Sequence, residues 1–196
     1  VAEGTAQVLG INGVVIRGTA VVRVNTTGFI LDETITIEGS STPGVEVAFE
    51  TTDRVERFEA LDAELTVLGQ TLSGNFSFDQ VASGSGPTAP KTLRIAATDV
   101  TLSLGDGATG VRVTNGSGAF LSSGKGLAGT LQASISLQVP GVEFGGAFSL
   151  SLNTTGSDIE QVFTVGTSSI SLNLPAGPYL RVEGIGARLT VAGQTL

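Results

Sequence analysis

Four side chains on which many enzymes depend are missing from this sequence, which contains no cysteine, histidine, methionine or tryptophan. Their absence excludes disulfide bonds, zinc fingers, thiol nucleophiles, imidazole acid/base catalysis and Ser-His-Asp triads, because each of these requires one of the missing side chains. Charged residues make up only 14% of the chain and aromatic residues only 5%. We therefore expect a protein that is not an enzyme and has no catalytic, cofactor-binding or metal-binding residues.

The charge balance disfavours nucleic acid as a partner. The net charge is -8, and the 10 Lys and Arg residues are scattered singly, without a basic patch. Hydrophobic residues reach 40%, which is enough for a buried core. No apolar run approaches the ~18 residues that a membrane helix needs, so a membrane is not an expected partner either.

Apolar and small polar residues alternate along several segments, and a period of two predicts β-strands. The clearest segments are 72–78, 127–139 and 144–152, each with an apolar side and a side of Ser, Thr, Asn, Gln, Gly or Ala. We expect an all-β fold of antiparallel hairpins that pack their apolar sides inward, as an elongated barrel, a sandwich or a solenoid-like body. A short helix over 52–64 is the lesser alternative there, because the similar segment 180–191 has the pattern of a strand.

An internal repeat relates the two halves of the chain. LTVLGQTL at 65–72 matches LTVAGQTL at 189–196, and NTTG occurs at 25–28 and at 153–156. The pattern Gly-x-x-Ile/Leu/Phe-x-Gly begins at Gly13, Gly69, Gly124 and Gly141. Its first Gly suits a tight turn, and its second suits a β-bulge or the close approach of a neighbouring backbone. The spacings predict a first hairpin unit at 1–111 and a second, truncated unit at 112–196.

The truncation predicts how the units associate. The second unit stops at Leu196, where the first continues through a return strand at 73–80. Segment 180–191 would then carry an unpaired apolar edge, which natural proteins avoid. We expect either a longer array or strand addition from a neighbour, so the expected partners are identical or tandem units.

Acidic residues concentrate in the first unit, and Ca²⁺ takes several carboxylate and carbonyl oxygens. However, no D-x-D-x-D-G run and no GGxGxDx nonapeptide occurs, and Gly105-Asp106-Gly107 has the character of a turn. We therefore interpret the acidic residues as a solvated surface. They are Asp32, Glu33, Glu46, Glu50, Asp53, Glu56 and Glu59.

Other candidate positions have simple structural interpretations. Ser122 and Ser123 have no base to activate them, and Lys125 suits an exposed turn. In a chain so rich in Ser and Thr, Asn-x-Ser/Thr sequons are weak evidence for glycosylation. The four sequons begin at Asn25, Asn75, Asn115 and Asn153.

The pattern LTVxGQTLSGxFxFxQ, complete at 65–80 and truncated at 189–196, carries a resemblance to a known group of proteins. It resembles the Gly-, Thr- and Ser-rich β-repeats of very large bacterial surface or secreted proteins, and the resemblance covers essentially the whole chain. It implies an extracellular or cell-surface location, in a fibre, an adhesin stalk or a surface layer. No catalytic residues are implied.

These observations predict a non-catalytic structural module of an extracellular fibre, stalk or surface assembly. One alternative is an adhesin module that binds a host or surface glycan or protein through loops such as Val81–Pro90 and Thr42–Asp53. It predicts a concave site with convergent polar groups. A second alternative is an outer-membrane β-barrel, which alternates similarly but needs girdles of aromatic residues, whereas this chain has one Tyr and no Trp.

Overall fold

The computed structural model describes residues 2–8, 14–36, 38–39, 44–67, 70–82, 89–105 and 109–196. Within these residues it contains β-strands and no helix. The strands are β1 Ala2–Val8, β2 Val14–Asn25, β3 Leu31–Ile35, β4 Val45–Phe49, β5 Arg54–Val67, β6 Gln70–Ala82, β7 Lys91–Gly105, β8 Gly110–Ser123, β9 Gly126–Val139, β10 Val142–Asn153, β11 Ile159–Val165, β12 Ser168–Leu174, β13 Tyr179–Val191 and β14 Gln194–Thr195. Most of segment 52–64 lies in β5, so the strand prediction is confirmed there.

Ten strands form one antiparallel sheet in the order β1-β2-β5-β6-β7-β8-β9-β10-β13-β14. Two separate hairpins interrupt this meander: β3–β4 lies between β2 and β5 in the chain, and β11–β12 lies between β10 and β13. Across the residues described, no pairing joins β1 to β14, so the sheet is open and not closed into a barrel. The prediction of an all-β fold built from antiparallel hairpins is confirmed.

One face of the sheet, here called the covered face, carries mainly small side chains. A row of directly opposed residues runs along it through five neighbouring strands, and none of them is more than 7% exposed. The row consists of Val21, Glu59, Ser77, Ala96 and Ala119. The short side chains of Ser77, Ala96 and Ala119 let another element approach the backbone of the sheet closely at this part of the face.

The β11–β12 hairpin is the element that packs on the covered face. Its side chains Phe163 and Leu172 are 3% and 0% exposed, and they belong to one hydrophobic cluster with Ala96 and Ala119. The tip of the hairpin reaches back to β5, where the backbone N–H of Gly166 donates a hydrogen bond to Glu59 Oε1 at 3.1 Å. The core of the described residues therefore lies between the sheet and this hairpin.

The opposite face, here called the open face, carries the large apolar side chains. Val22, Phe58 and Phe78 oppose one another on neighbouring strands and are 40–43% exposed. The prediction that the apolar side of the alternation faces inward is therefore wrong. Alternation defines two faces of a strand, but the hairpin packs on the face whose small side chains leave room for it.

Bulges interrupt the ladders at similar heights in many of the neighbouring strands. Positive φ angles occur at these bulges in Asp62, Asp99, Asn115 and Gly186. The short polar side chains of Asp and Asn tolerate this conformation better than other non-glycine residues do. Asn75 links two of the bulges, because Oδ1 accepts from the backbone N–H of Asp62 at 2.8 Å and Nδ2 donates to Asp99 Oδ2 at 3.0 Å. A line of bulges of this kind bends the sheet.

The two NTTG segments form the same buried turn. Asn25 Oδ1 accepts hydrogen bonds from the backbone N–H and the hydroxyl of Thr27 at 3.0 and 2.7 Å, and Nδ2 donates to the carbonyl four residues on. Asn153 makes the same three contacts with Thr155, at 2.8 and 2.7 Å, and with the carbonyl four residues on. Both Asn side chains are at most 1% exposed, so each turn is a satisfied buried polar network.

A second pair of matching positions lies where glycine was predicted to allow a close approach. A Cβ on Gly18 would lie 3.0 Å from the Cα of Ala63, and a Cβ on Gly146 would lie 3.0 Å from the Cα of Ala187. Both glycines lie at bulges, so the prediction is confirmed at these positions.

The predicted boundary between residues 111 and 112 falls inside β8, which pairs with β7 and with β9. The sheet is thus continuous there, and the division into units stays a prediction.

Two leucines on opposite sides of the sheet test where the core lies. We expect Leu172→Ala to lower the free energy of unfolding by about 2–5 kcal/mol, because it leaves a cavity under the hairpin. Leu131→Ala on the open face should cost roughly 1 kcal/mol, because Leu131 is already 46% exposed. Urea denaturation of both variants measures the difference, and equal losses would contradict this location of the core.

The buried turn at Asn153 makes a separate prediction. Asn153→Ala removes the acceptor for Thr155 and the donor to the carbonyls of Ser157 and Pro175, and it should cost about 1–3 kcal/mol. Asn173→Ala is the control, since Asn173 is exposed on β12 and should lose only a few tenths of a kcal/mol. Thermal unfolding of both variants tests the prediction, and similar melting temperatures would refute it.

Candidate functional site

A row of charged side chains crosses the covered face on four neighbouring strands. Arg23 of β2 opposes Arg57 of β5, Arg57 opposes Asp79 of β6, and Asp79 opposes Arg94 of β7. The row thus contains three guanidinium groups and one carboxylate. Like charges directly opposed on neighbouring strands destabilise a sheet, so this arrangement has an electrostatic cost.

Arg57 and Asp79 form the ion pair at the centre of the row. Arg57 Nε donates to Asp79 Oδ1 at 2.5 Å, and Arg57 Nη2 donates to Asp79 Oδ2 at 2.8 Å, which is bidentate geometry. Burial lowers the pKa of Arg57, but the hydrogen bonds and charge of Asp79, together with the charge of Glu59, raise that pKa above its ordinary value. The contacts with Asp79 therefore favour the charged form of Arg57.

Arg94 connects the sheet to the β11–β12 hairpin. Its Nη2 donates to the carbonyl of Val162, and its guanidinium carbon lies 4.7 Å from the centre of the Phe163 ring. Its Nη1 lies 3.9 Å from Asp79 Oδ2, and its buried Nε has no hydrogen-bond partner among the described residues. Burial lowers the pKa of Arg94, the charge of Asp79 opposes that change, and the charge of Arg57 lowers the pKa further. The row therefore contains more guanidinium groups than carboxylates, and the carboxylates of Glu46, Glu50 and Asp53 line the same groove without an ion pair in the described residues.

The charged row forms the floor of a groove of about 1010 Å³. One side of the groove is formed by β4 and the residues after it, and the other side by β11 of the second hairpin. Hydroxyl and amide groups line it at Thr51, Thr92, Gln161 and Thr164. Arg23 also lines the groove, and within the described part of the chain it makes no hydrogen bond or ion pair. The groove is concave, with polar groups that converge on it.

The acidic residues considered for calcium are distributed over several sites. Within the residues described, no group of three or more acidic side chains is arranged to hold a metal ion. Glu56 pairs with Arg54, and Glu59 accepts from the backbone of Gly166. Three others, Glu46, Glu50 and Asp53, line the groove. Asp32 and Glu33 are exposed on β3, and Asp106 and Gly107 lie outside the described residues.

The serine, lysine and sequon positions show no catalytic arrangement. Lys125 is exposed in the turn between β8 and β9, and its backbone N–H donates to Ser123 Oγ at 3.2 Å. Ser122 is exposed on β8. The sequon residues Asn25 and Asn153 are buried in their turns, which makes them poor glycosylation acceptors. Asn75 is half-buried at the bulges, and Asn115 is exposed.

The two predicted binding loops are only partly within the described structure. Residues 83–88 and 40–43 lie outside it, whereas the end of the second loop, Glu46 to Asp53, borders the groove.

Sequence analysis missed the charged row because its members are far apart in the chain. A faint signal exists in a repeated spacing: Arg57 and Arg94 each lie five residues before an Asp with positive φ, Asp62 and Asp99.

No family model, curated protein or solved structure matches this chain. The resemblance to bacterial β-repeats therefore stays a prediction. In the part of the chain that the structure describes, none of the elements is a helix long and apolar enough to span a bilayer.

The central ion pair supports a prediction on stability. Asp79→Asn leaves the half-buried guanidinium groups of Arg57 and Arg94 without their counter-charge, and we expect a loss of about 3–5 kcal/mol in the free energy of unfolding. Arg54→Gln is the control, because Arg54 is 50% exposed in its pair with Glu56 and should cost about 0–1 kcal/mol. Guanidinium denaturation compares the two variants, and an Asp79→Asn loss no larger than the control would show that the pair is not structural.

Proposed function

We propose that the protein is a non-catalytic structural module of an extracellular fibre, stalk or surface assembly, and that a neighbouring unit extends its sheet by adding a strand to β13. The open edge of β13 is the observation that carries this proposal. The resemblance to the Gly-, Thr- and Ser-rich β-repeats of bacterial surface or secreted proteins supports the extracellular location. This mode of assembly produces an elongated body, because each added strand extends the same sheet.

Strand β13 is paired fully on one side only. On that side it pairs with β10 from Tyr179 to Val191. On the other side, within the residues described, β14 pairs with Thr190 and Val191, and backbone hydrogen bonds join Leu189 to Leu196. Residues 180–188 are exposed throughout. Such an edge presents unpaired backbone groups and is a template for another strand.

The matching strand in the first half supports a specific kind of added strand. β5 ends in LTV and β6 begins with QT, as β13 ends in LTV and β14 consists of QT. β5 pairs with the 13-residue strand β6 along almost its whole length. A strand like β6, running antiparallel to β13, would satisfy the open edge in the same way. Either a tandem unit or a neighbouring copy can supply it.

The two hairpins support an interlocking assembly. β11–β12 belongs to the second half of the chain, and it packs on sheet strands of both halves, β6 and β7 of the first and β8, β9 and β10 of the second. Its tip also contacts Glu59 of β5. In β3–β4, the opposed residues Ile35 and Val45 take the place that Phe163 and Ile170 have in β11–β12. Ile35 and Val45 are 56% and 39% exposed, whereas Phe163 is buried. The sheet of a neighbouring unit would cover β3–β4 as strands β6 to β10 of this chain cover β11–β12.

A peptide with the sequence of β6 tests strand addition. We expect a synthetic Gln70–Ala82 peptide to bind the full chain saturably and to slow amide hydrogen exchange at residues 180–188, because new backbone hydrogen bonds form there. A peptide with the same composition in scrambled order is the control.

Unchanged exchange at residues 180–188 with saturating peptide, or equal slowing by the scrambled peptide, would overturn the proposal. Negative-stain electron microscopy of the full-length source protein provides the second readout, in which an extended, regularly repeating body is expected. A source protein with a single globular outline would count against the structural role even if the peptide bound.

A further inference from the structure

We infer that the groove between the two hairpins binds a carboxylate-bearing saccharide, and that Arg23 is the residue that engages the carboxylate. This inference is independent of strand addition at β13, because Arg23 lies on β2 and the groove is on the covered face. It assigns a specific site and ligand chemistry to the groove.

The first step concerns the guanidinium of Arg23 on the floor of the groove, which forms no ion pair within the described residues. Three arginines face one aspartate, and Asp79 is already engaged by both hydrogen bonds from Arg57 and by the weaker contact with Arg94. Arg23 opposes Arg57 in register and has no hydrogen bond or ion pair within the described residues. A guanidinium beside a second guanidinium is stabilised by an anion, and a carboxylate fits its planar fork of N–H donors.

The second step is the role of each arginine. Arg57 is held by Asp79, and Arg94 is held by the Val162 carbonyl and the Phe163 ring, so both contribute to the fold. Arg23 is half-buried and makes no such contact. It is therefore the cation that is able to form a new ion pair without breaking one in the protein.

The third step is the chemistry of the rest of the groove. Its size, about 1010 Å³, is at the upper end of the range for small-molecule sites and suits an oligomer better than a single small anion. Thr51, Thr92, Gln161 and Thr164 offer hydroxyl and amide groups that exchange hydrogen bonds with sugar hydroxyls. Among the described residues that line the groove, Phe49 is the one aromatic, and it is only 7% exposed. This part of the groove therefore lacks an accessible aromatic anchor of the kind that peptide interfaces favour.

The acidic side of the groove limits how much negative charge a ligand can carry. Glu46, Glu50 and Asp53 line it and form no ion pair within the described part of the chain. They would repel a polyanion, whereas a ligand with one carboxylate near Arg23 and neutral hydroxyls elsewhere avoids them. A uronic acid in an otherwise neutral oligosaccharide has this distribution.

The test compares one charged and one neutral saccharide on the full chain. The probes are a trisaccharide with a single terminal galacturonate and the methyl ester of the same trisaccharide, measured by isothermal titration calorimetry. We expect the acid to bind at least about tenfold more tightly than the ester, since a charge-assisted pair is worth about 1.5–3 kcal/mol.

The variants are Arg23→Gln and, as a matched control on the same strand, Arg17→Gln, whose side chain is exposed and does not line the groove. Arg23→Gln should weaken binding of the acid by about tenfold or more, while Arg17→Gln leaves it unchanged. Because Arg23 only opposes a like charge, the melting temperature of Arg23→Gln should be equal to that of the unmodified chain or higher. A loss of binding in this variant is then not a loss of folding.

Three outcomes would overturn the inference. They are no measurable binding of the acid, equal affinity for the acid and its ester, and undiminished binding by Arg23→Gln. An acidic peptide with one glutamate that bound as tightly as the trisaccharide would also overturn it, because the hydroxyl and amide lining would then contribute nothing to recognition.

Discussion

The packing of one hairpin against the small side chains of the sheet is the contact on which the rest of this structure depends. A sheet needs another layer to bury at least one face. Here Ala96, Ala119 and Ala128 are nearly fully buried because Phe163 and Leu172 lie directly over them. The same contact places the hairpin beside Arg94 and so forms one side of the groove. It also leaves the large apolar side chains on the other face partly exposed.

Local sequence produces the same local structure twice in this chain, whereas the surroundings of those structures differ. The turns at Asn25 and Asn153 share their hydrogen bonds, and the bulges at Gly18 and Gly146 share their close backbone contact. These features depend on residues within a few positions or on the adjacent strand. The hairpins that follow the two turns differ in burial, because β11–β12 has five strands of sheet beside it and β3–β4 does not.

The charged row shows how structural and binding roles are divided among similar side chains. Asp79 stabilises Arg57 through two hydrogen bonds and shares its charge with Arg94. That leaves Arg23 with a like charge opposite and no partner in the described residues. Selection for stability alone would favour a neutral residue at this position, since that would relieve the repulsion between Arg23 and Arg57. Its position on the floor of a polar groove gives a reason to retain it.

The sequence by itself determined the elements with short-range physical causes. Alternation marked the strands, and Gly marked turns and close approaches. The matching segments at 65–72 and 189–196 each contain the end of one strand and the start of the next. Each of these signals acts within one strand or between neighbours in the chain.

Only the tertiary structure decided which face of the sheet is covered and which charges meet. Alternation is symmetric between the two faces, so the pattern at Leu131 and Leu172 could not show that the first is half exposed and the second fully buried. Arg23, Arg57, Asp79 and Arg94 are separated by up to 71 positions, and strand register alone brings them into one row. Register is a property of the paired strands, because it depends on bulges and on packing across the sheet and not on any single segment.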